Sequence, residues 1–175
     1  MFKTDIRWPS IMVCALLAAG CGASAEDAIE EIGTITATVG GTDLVYSVVG
    51  ADGDRRGGFD VRAAGAVETV SISSNRLEEG DVAGVEPASL SLVAQTGSYG
   101  MKSITLVDGQ GFMNPLESTG MSGTAIDFTS RGESGIWAGT FSATLQRQSP
   151  ERVDPGKSGT LEAPVSIEGF FSIQP

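Results

Sequence analysis

Histidine is missing from all 175 residues of this chain. Its absence removes Ser-His-Asp catalysis, His-ligated zinc, His-held haem and an imidazole pH switch together. Cysteine is nearly missing. The two present, Cys14 and Cys21, lie near the N-terminus, so the rest of the chain has no thiol for disulfides, thiolate metal sites or a Cys nucleophile. Basic residues are scarce, 11 against 22 acidic ones, for a net charge of −11. Such a surface repels nucleic-acid phosphates and anionic lipid headgroups, so no nucleic-acid partner is expected. Aromatic residues make up only 6%. The apolar run Ile11–Ala19 is nine residues long, far short of the ~20 needed to cross a bilayer as a helix.

That run nevertheless has a recognisable setting. Lys3 and Arg7 precede it, diluted by Asp5, and the small pair Gly20-Cys21 follows. A positive start, a short apolar middle and small residues at the cut are the layout of a secretory signal. Leu17-Ala18-Ala19-Gly20-Cys21 resembles the lipobox of bacterial lipoproteins, with Ala18 standing where such boxes most often carry Leu. The resemblance implies lipidation of Cys21, which becomes the new N-terminus, and a membrane partner reached through that lipid. Gly22, where an Asp would signal inner-membrane retention, implies the outer membrane. Ala23-Ser24-Ala25 fits ordinary signal cleavage instead, which would release a soluble periplasmic or secreted protein. Processing before Cys21 removes Lys3, Arg7 and Asp5, moving the net charge from −11 to −12. The expected organisation is therefore a lipoprotein signal over 1–20, a small, acidic tether over 21–32 and one domain over 33–175.

From Gly33 onward the apolar residues recur with a period of two. Ile35, Ala37 and Val39 alternate with threonines, Gly40-Gly41 interrupts, and Leu44, Tyr46 and Val48 resume. This is a hairpin signal, because a tight turn matching strand twist needs positive φ. Shorter strand candidates follow at 59–63, 66–73, 89–95, 101–107 and 124–129, bounded by Gly, Asn, Asp or Pro. The alternation is clearest at the C-terminus. Trp137, Gly139, Phe141, Ala143 and Leu145 share one face, and Val165, Ile167, Gly169, Phe171 and Ile173 share another, with 146–164 as the connecting loop. An antiparallel hairpin with Trp137, Phe141, Phe171 and Ile173 in the core is predicted. The ending Gly139–Thr144 and Ile167–Ile173 resembles the final hairpin of uncharacterised β-sandwich lipoproteins.

With 24 glycines and no sustained 3.6-residue period, long helices are not expected. The prediction is an all-β fold: an antiparallel β-sandwich of about eight or nine short strands, or alternatively a small closed β-barrel.

Candidate chemistry is sparse. Asp52-Gly53-Asp54 and Asp108-Gly109-Gln110-Gly111 resemble fragments of calcium loops, but neither has the full oxygen ladder, and Asp-Gly is ordinary turn chemistry. Asp52, Asp54 and Asp108 are thus weak cation candidates beside an expectation of no metal and no cofactor. Glu78, Glu79 and Asp81 are sequence neighbours in a polar stretch, where both members of an acid–base pair would be solvated. Arg55-Arg56 could clamp an anion but is offset by Asp52, Asp54 and Asp60. Tyr46 and Trp137 fall on apolar stripes, whereas Tyr99 in a Gly-Ser-Tyr-Gly turn and Phe170, opposite in parity to Phe171, are candidates for an exposed interaction surface. Glu168 is expected to face solvent. No catalytic residue is assigned. The expected function is a noncatalytic binding or assembly module in the cell envelope, with a protein or glycan partner. A carboxylate-only glycan hydrolase of jelly-roll type and a small-ligand carrier are the alternatives; the first needs two converging acids and the second an apolar cavity.

Overall fold

The computed structural model describes residues 30–51, 58–76, 89–97, 100–108, 114–118, 123–147 and 162–175. They form ten strands: β1 (Glu31–Val39), β2 (Thr42–Val49), β3 (Phe59–Ala64), β4 (Val67–Arg76), β5 (Ser89–Gln95), β6 (Lys102–Val107), β7 (Leu116–Ser118), β8 (Ala125–Arg131), β9 (Trp137–Arg147) and β10 (Val165–Ile173). The fold is all-β, and every paired strand is antiparallel to its neighbours.

All ten strands belong to one sheet, and that sheet returns to its start. Its order runs β10–β1–β2–β4–β5–β6–β7–β9, and β9 then pairs with β10. Two separate layers would require strands with a free lateral edge where each layer ends. Instead β9 is paired along both edges: with β10 over Trp137–Leu145 on one side, with β8 and β7 in succession on the other. The sandwich expectation therefore gives way to the barrel alternative. The short strand β7 is the main addition to the expected set, β1 begins two residues before Gly33, and β9 runs two residues past Leu145 to Arg147.

The strands of the ring obey the period of two. Ile35, Ala37, Leu44, Tyr46, Val48, Val70, Ile72, Leu90, Leu92, Ile104, Leu106, Phe141, Leu145, Ile167, Phe171 and Ile173 are buried together in one core. Their neighbours along the chain point outward, among them Thr34, Thr36, Thr38, Thr140, Ser142 and Thr144. Apolar inside and hydroxyl-bearing outside is the reverse of a lipid-facing barrel, whose outward residues are apolar. Gly40 (φ 56°) and Gly41 (φ 88°) form the β1–β2 turn expected of them, since both sit where a Cβ is disfavoured.

Two glycines make room for the rings of the predicted C-terminal hairpin. Phe141 lies opposite Gly169, and Phe171 lies opposite Gly139. A Cβ at Gly139 would fall 2.6 Å from Phe171 Cζ, and one at Gly169 would fall 2.7 Å from Phe141 Cζ. Each ring thus occupies the space that its partner glycine leaves open. Phe141, Phe171 and Ile173 are buried as predicted, while Trp137 is half-buried at the edge of the core. It caps that end with Phe59 (centroids 5.4 Å apart) and Phe128 (6.0 Å, edge-on).

Candidate functional site

The outward face of β2, β1, β10, β9 and β8 is built from three cross-strand rows. Register aligns Asp43, Thr38, Glu168, Ser142 and Ala125 in the first row. Val45, Thr36, Phe170, Thr140 and Asp127 make the second, and Ser47, Thr34, Ser172, Ala138 and Ser130 the third. Residues directly opposite on such a ladder stand about 5 Å apart, so each row is a continuous strip of side chains.

Phe170 lies at the middle of the central row. Parity forces it out because Phe171 points in, and 54% of it remains exposed, more than any other large apolar residue described. Its cross-strand partners are Thr36 and Thr140. No second layer packs over it among the described residues. The ring borders a depression of about 440 Å³ whose other walls include Thr36, Thr38, Thr140, Ser142, Asp127 and Glu168. Hydroxyls here both donate and accept, and ionised carboxylates accept only. Thr38 Oγ1 already donates to Asp43 Oδ1 at 2.6 Å.

Asp43, Asp127 and Glu168 are the strand-borne carboxylates of this face, and the last two line the depression. Glu168 was expected to face solvent and does. Asp127 went unremarked in the sequence, although its alternation with the buried Ile126 places it outward. β9 lies between the strands that carry Asp127 and Glu168, which are about 10 Å apart across two inter-strand spacings, and the two residues stand in adjacent rows. The Asp127 side chain is 72% exposed and accepts a hydrogen bond from Lys102 Nζ at 3.3 Å.

A second polar centre lies inside the opposite end of the barrel. Arg147 continues the inward stripe of Phe141, Ala143 and Leu145, so its side chain enters the core, where 6% of it is exposed. Its Nε donates to Glu162 Oε2 at 2.8 Å and one terminal nitrogen to the Asn114 carbonyl at 2.6 Å. The other terminal nitrogen pairs with Asp108 Oδ2. Burial works against the guanidinium charge, but the hydrogen bonds to Asp108 and Glu162 outweigh it and hold Arg147 above its ordinary range. Asp108, a weak calcium candidate by sequence, is therefore a partner of arginine: a carboxylate at the end of β6 with a buried cation in reach binds that cation. No third acidic residue, histidine or cysteine joins such a group to make a metal site among the described residues. The signal for this centre was present in the sequence as an arginine on an inward parity.

Cys21, Asp52, Asp54 and Tyr99 lie outside the described residues, as do Arg55, Arg56, Glu78, Glu79 and Asp81. Tyr46 is fully buried, as its stripe predicted. The described residues thus bring together Phe170, Glu168 and Asp127 on one face and Asp108 with Arg147 at one end.

Known protein families, curated proteins and solved structures all offer no match to this chain. The reading of function rests on the geometry of the outward face.

Proposed function

We propose that this protein is a noncatalytic binding module of the cell envelope, held by lipid on Cys21, whose partner docks on the outward face centred on Phe170. The partner that suits this face is a neutral or amino-bearing glycan. The observation that carries the reading is a single aromatic ring, 54% exposed, set in a field of threonine and serine hydroxyls with carboxylates at its margin. A protein partner of ordinary affinity needs a contiguous apolar patch at the centre of its interface. Phe170 has no apolar neighbour on its own row closer than Val45, two strands away. A sugar ring, by contrast, offers one apolar face for stacking and a rim of hydroxyls for hydrogen bonds. Asp127 and Glu168 disfavour an acidic glycan by like-charge repulsion.

The packed core argues for this reading over a carrier, because the interior space is filled by Tyr46, Phe141, Phe171 and their neighbours. The exposed setting of Asp127 argues for binding over hydrolysis, which requires one carboxyl kept protonated by a desolvating site. The test is co-sedimentation of the full-length lipoprotein and of its Phe170→Ala and Thr140→Val variants with isolated cell-wall glycan, with soluble neutral and acidic oligosaccharides as competitors. Retention by wild type, loss in both variants and competition by the neutral sugar are expected. Equal retention of wild type and Phe170→Ala would overturn the assignment of the face.

A further inference from the structure

One end of the barrel gathers features that the flanks lack. Antiparallel pairing brings the start of β1, the β3–β4, β5–β6 and β8–β9 turns and the C-terminal residues to the same end. Contacts tie them together. Gln174 N donates to Ile32 O at 2.7 Å, Thr96 N donates to Glu68 O at 2.9 Å, and Arg131 reaches Glu68 at 3.1 Å.

Of the six exposed large apolar residues described, four stand at this end: Val61, Val67, Met101 and Ile136. Single exposed apolar residues are normal on any surface. Their collection at one end is not: Met101 and Ile136 lie in turns, which favour Gly, Pro, Asn, Asp and Ser, and Val61 and Val67 lie on the two strands of the β3–β4 hairpin. Ala63, Ala64 and Ala66 extend the apolar tip of the β3–β4 hairpin.

Charge is also unevenly placed. Arg62, Lys102 and Arg131 lie toward this end of a strongly acidic chain, each beside a carboxylate: Asp60 at 2.5 Å, Asp127 at 3.3 Å and Glu68 at 3.1 Å. Glu30, Glu31 and Glu133 add further negative charge here. Exposed ion pairs of this sort gain little over separate solvation, so their members can exchange partners readily. Mixed charges around an apolar tip match a zwitterionic headgroup layer, whose phosphates meet arginine and lysine and whose ammonium groups meet carboxylates. An anionic surface would be repelled by the remaining acids.

Finally, the chain between Cys21 and the described residues joins the barrel at this end. The nine peptide links from Cys21 to Glu30 can span at most about 30 Å.

From these three features we infer that the β3–β4, β5–β6 and β8–β9 tips rest on the zwitterionic bilayer surface to which Cys21 is attached. The inference rests on the reading of Cys21 as lipidated. The lipid supplies attachment, and the tips supply orientation: the Arg147 end points away from the bilayer, and the Phe170 face stands at the side, open to a partner. Val61, Val67, Met101 and Ile136 sit at the headgroup boundary rather than in the hydrocarbon.

The test uses the full-length lipidated protein in vesicles of phosphatidylethanolamine and phosphatidylcholine. The mature chain has no thiol besides Cys21, so a cysteine introduced by Ala64→Cys, Met101→Cys, Ser142→Cys or Asp43→Cys carries a fluorophore at one known place. Intact mass is read first, and quenching by nitroxide-labelled headgroups second. The expected result is an acylated chain in which labels at 64 and 101 are quenched several-fold more than those at 142 and 43. An unmodified Cys21 would defeat the anchored reading and this inference with it. An acylated chain with uniform quenching, or with position 43 quenched most, would overturn the orientation while leaving the anchor standing. In addition, Val67→Asp combined with Met101→Asp should lower quenching at 64 without releasing the protein from vesicles; unchanged quenching would count against the tips as the contact.

Discussion

Replacing Gly169 by alanine tests whether the packing of the C-terminal hairpin depends on an empty position. A Cβ there would lie 2.7 Å from Phe141 Cζ and 2.9 Å from Ala37 Cα, and it would press still closer on the Thr36 carbonyl oxygen. Two of these three atoms are backbone of β1, so relief requires β10 to move away from β1 as well as the ring to tilt. Phe141 is 3% exposed and has little room to retreat. Gly169 does not occupy the left-handed region, so the cost is one of space rather than of φ. Overpacking of this kind costs about 1–3 kcal/mol. Alanine returns ~0.4–1 kcal/mol by restricting the unfolded chain. A net loss of about 1–2 kcal/mol is expected, which lowers Tm by roughly 2–8 °C for a domain of this size. Urea unfolding followed by Trp137 fluorescence measures it, with Trp8, the other tryptophan of the chain, replaced by Phe in every protein compared. Gly123→Ala is the internal control: its Cβ would meet nothing within 4 Å, so it should be neutral or slightly stabilising. Adding Phe141→Leu to Gly169→Ala should recover part of the loss by removing the ring tip. A Gly169→Ala protein as stable as wild type would refute the packing argument.

Three further outcomes follow from the same structure. Arg147→Met should cost about 3–5 kcal/mol in urea unfolding, because it strands the Asp108 carboxylate, whose side chain is 12% exposed. Arg147→Met with Asp108→Leu should recover most of that. Arg147 is held above its ordinary range, and a raised pKa stabilises fully at every pH below the unfolded arginine value, being lost only as pH rises through the folded one. The Arg147→Met penalty should therefore be constant from about pH 7 to pH 10. Phe170→Ala should change stability by no more than about 0.5 kcal/mol while abolishing glycan retention, since the ring is largely in water already. Gly41→Val, at φ 88°, should cost about 1–3 kcal/mol through backbone strain alone, measured by the same unfolding curve.

The strands that are visible in the sequence are those long enough to show their period. β5 and β10 fall where the alternation places them, at Ser89–Gln95 and Val165–Ile173, and the Gly40-Gly41 turn follows from the need for positive φ. β7, three residues from Leu116 to Ser118, is too short to display any period. Closure of the sheet is a different kind of information. A strand with one apolar and one polar face reads the same in two stacked sheets as in one closed sheet; the choice lies in which edges meet, and side-chain parity says nothing about edges. Parity does carry the candidate sites. It places Phe170 and Asp127 outward, whereas Arg147 falls in the stretch 146–164 expected as a loop and joins the inward stripe only because β9 runs two residues past Leu145. Asp108 was harder to place because Asp-Gly serves equally well in a turn, a cation loop or an ion pair.

The chain's opening strand completes its hydrogen bonding only against its closing one, β1 against β10, with the whole barrel threaded between them. A polypeptide emerging N-terminus first therefore cannot satisfy β1 until β10 has arrived. Loss of even the final strand leaves two raw ladders, on β1 and on β9, each able to recruit another chain. Prematurely terminated copies should thus aggregate or be degraded instead of persisting as smaller barrels.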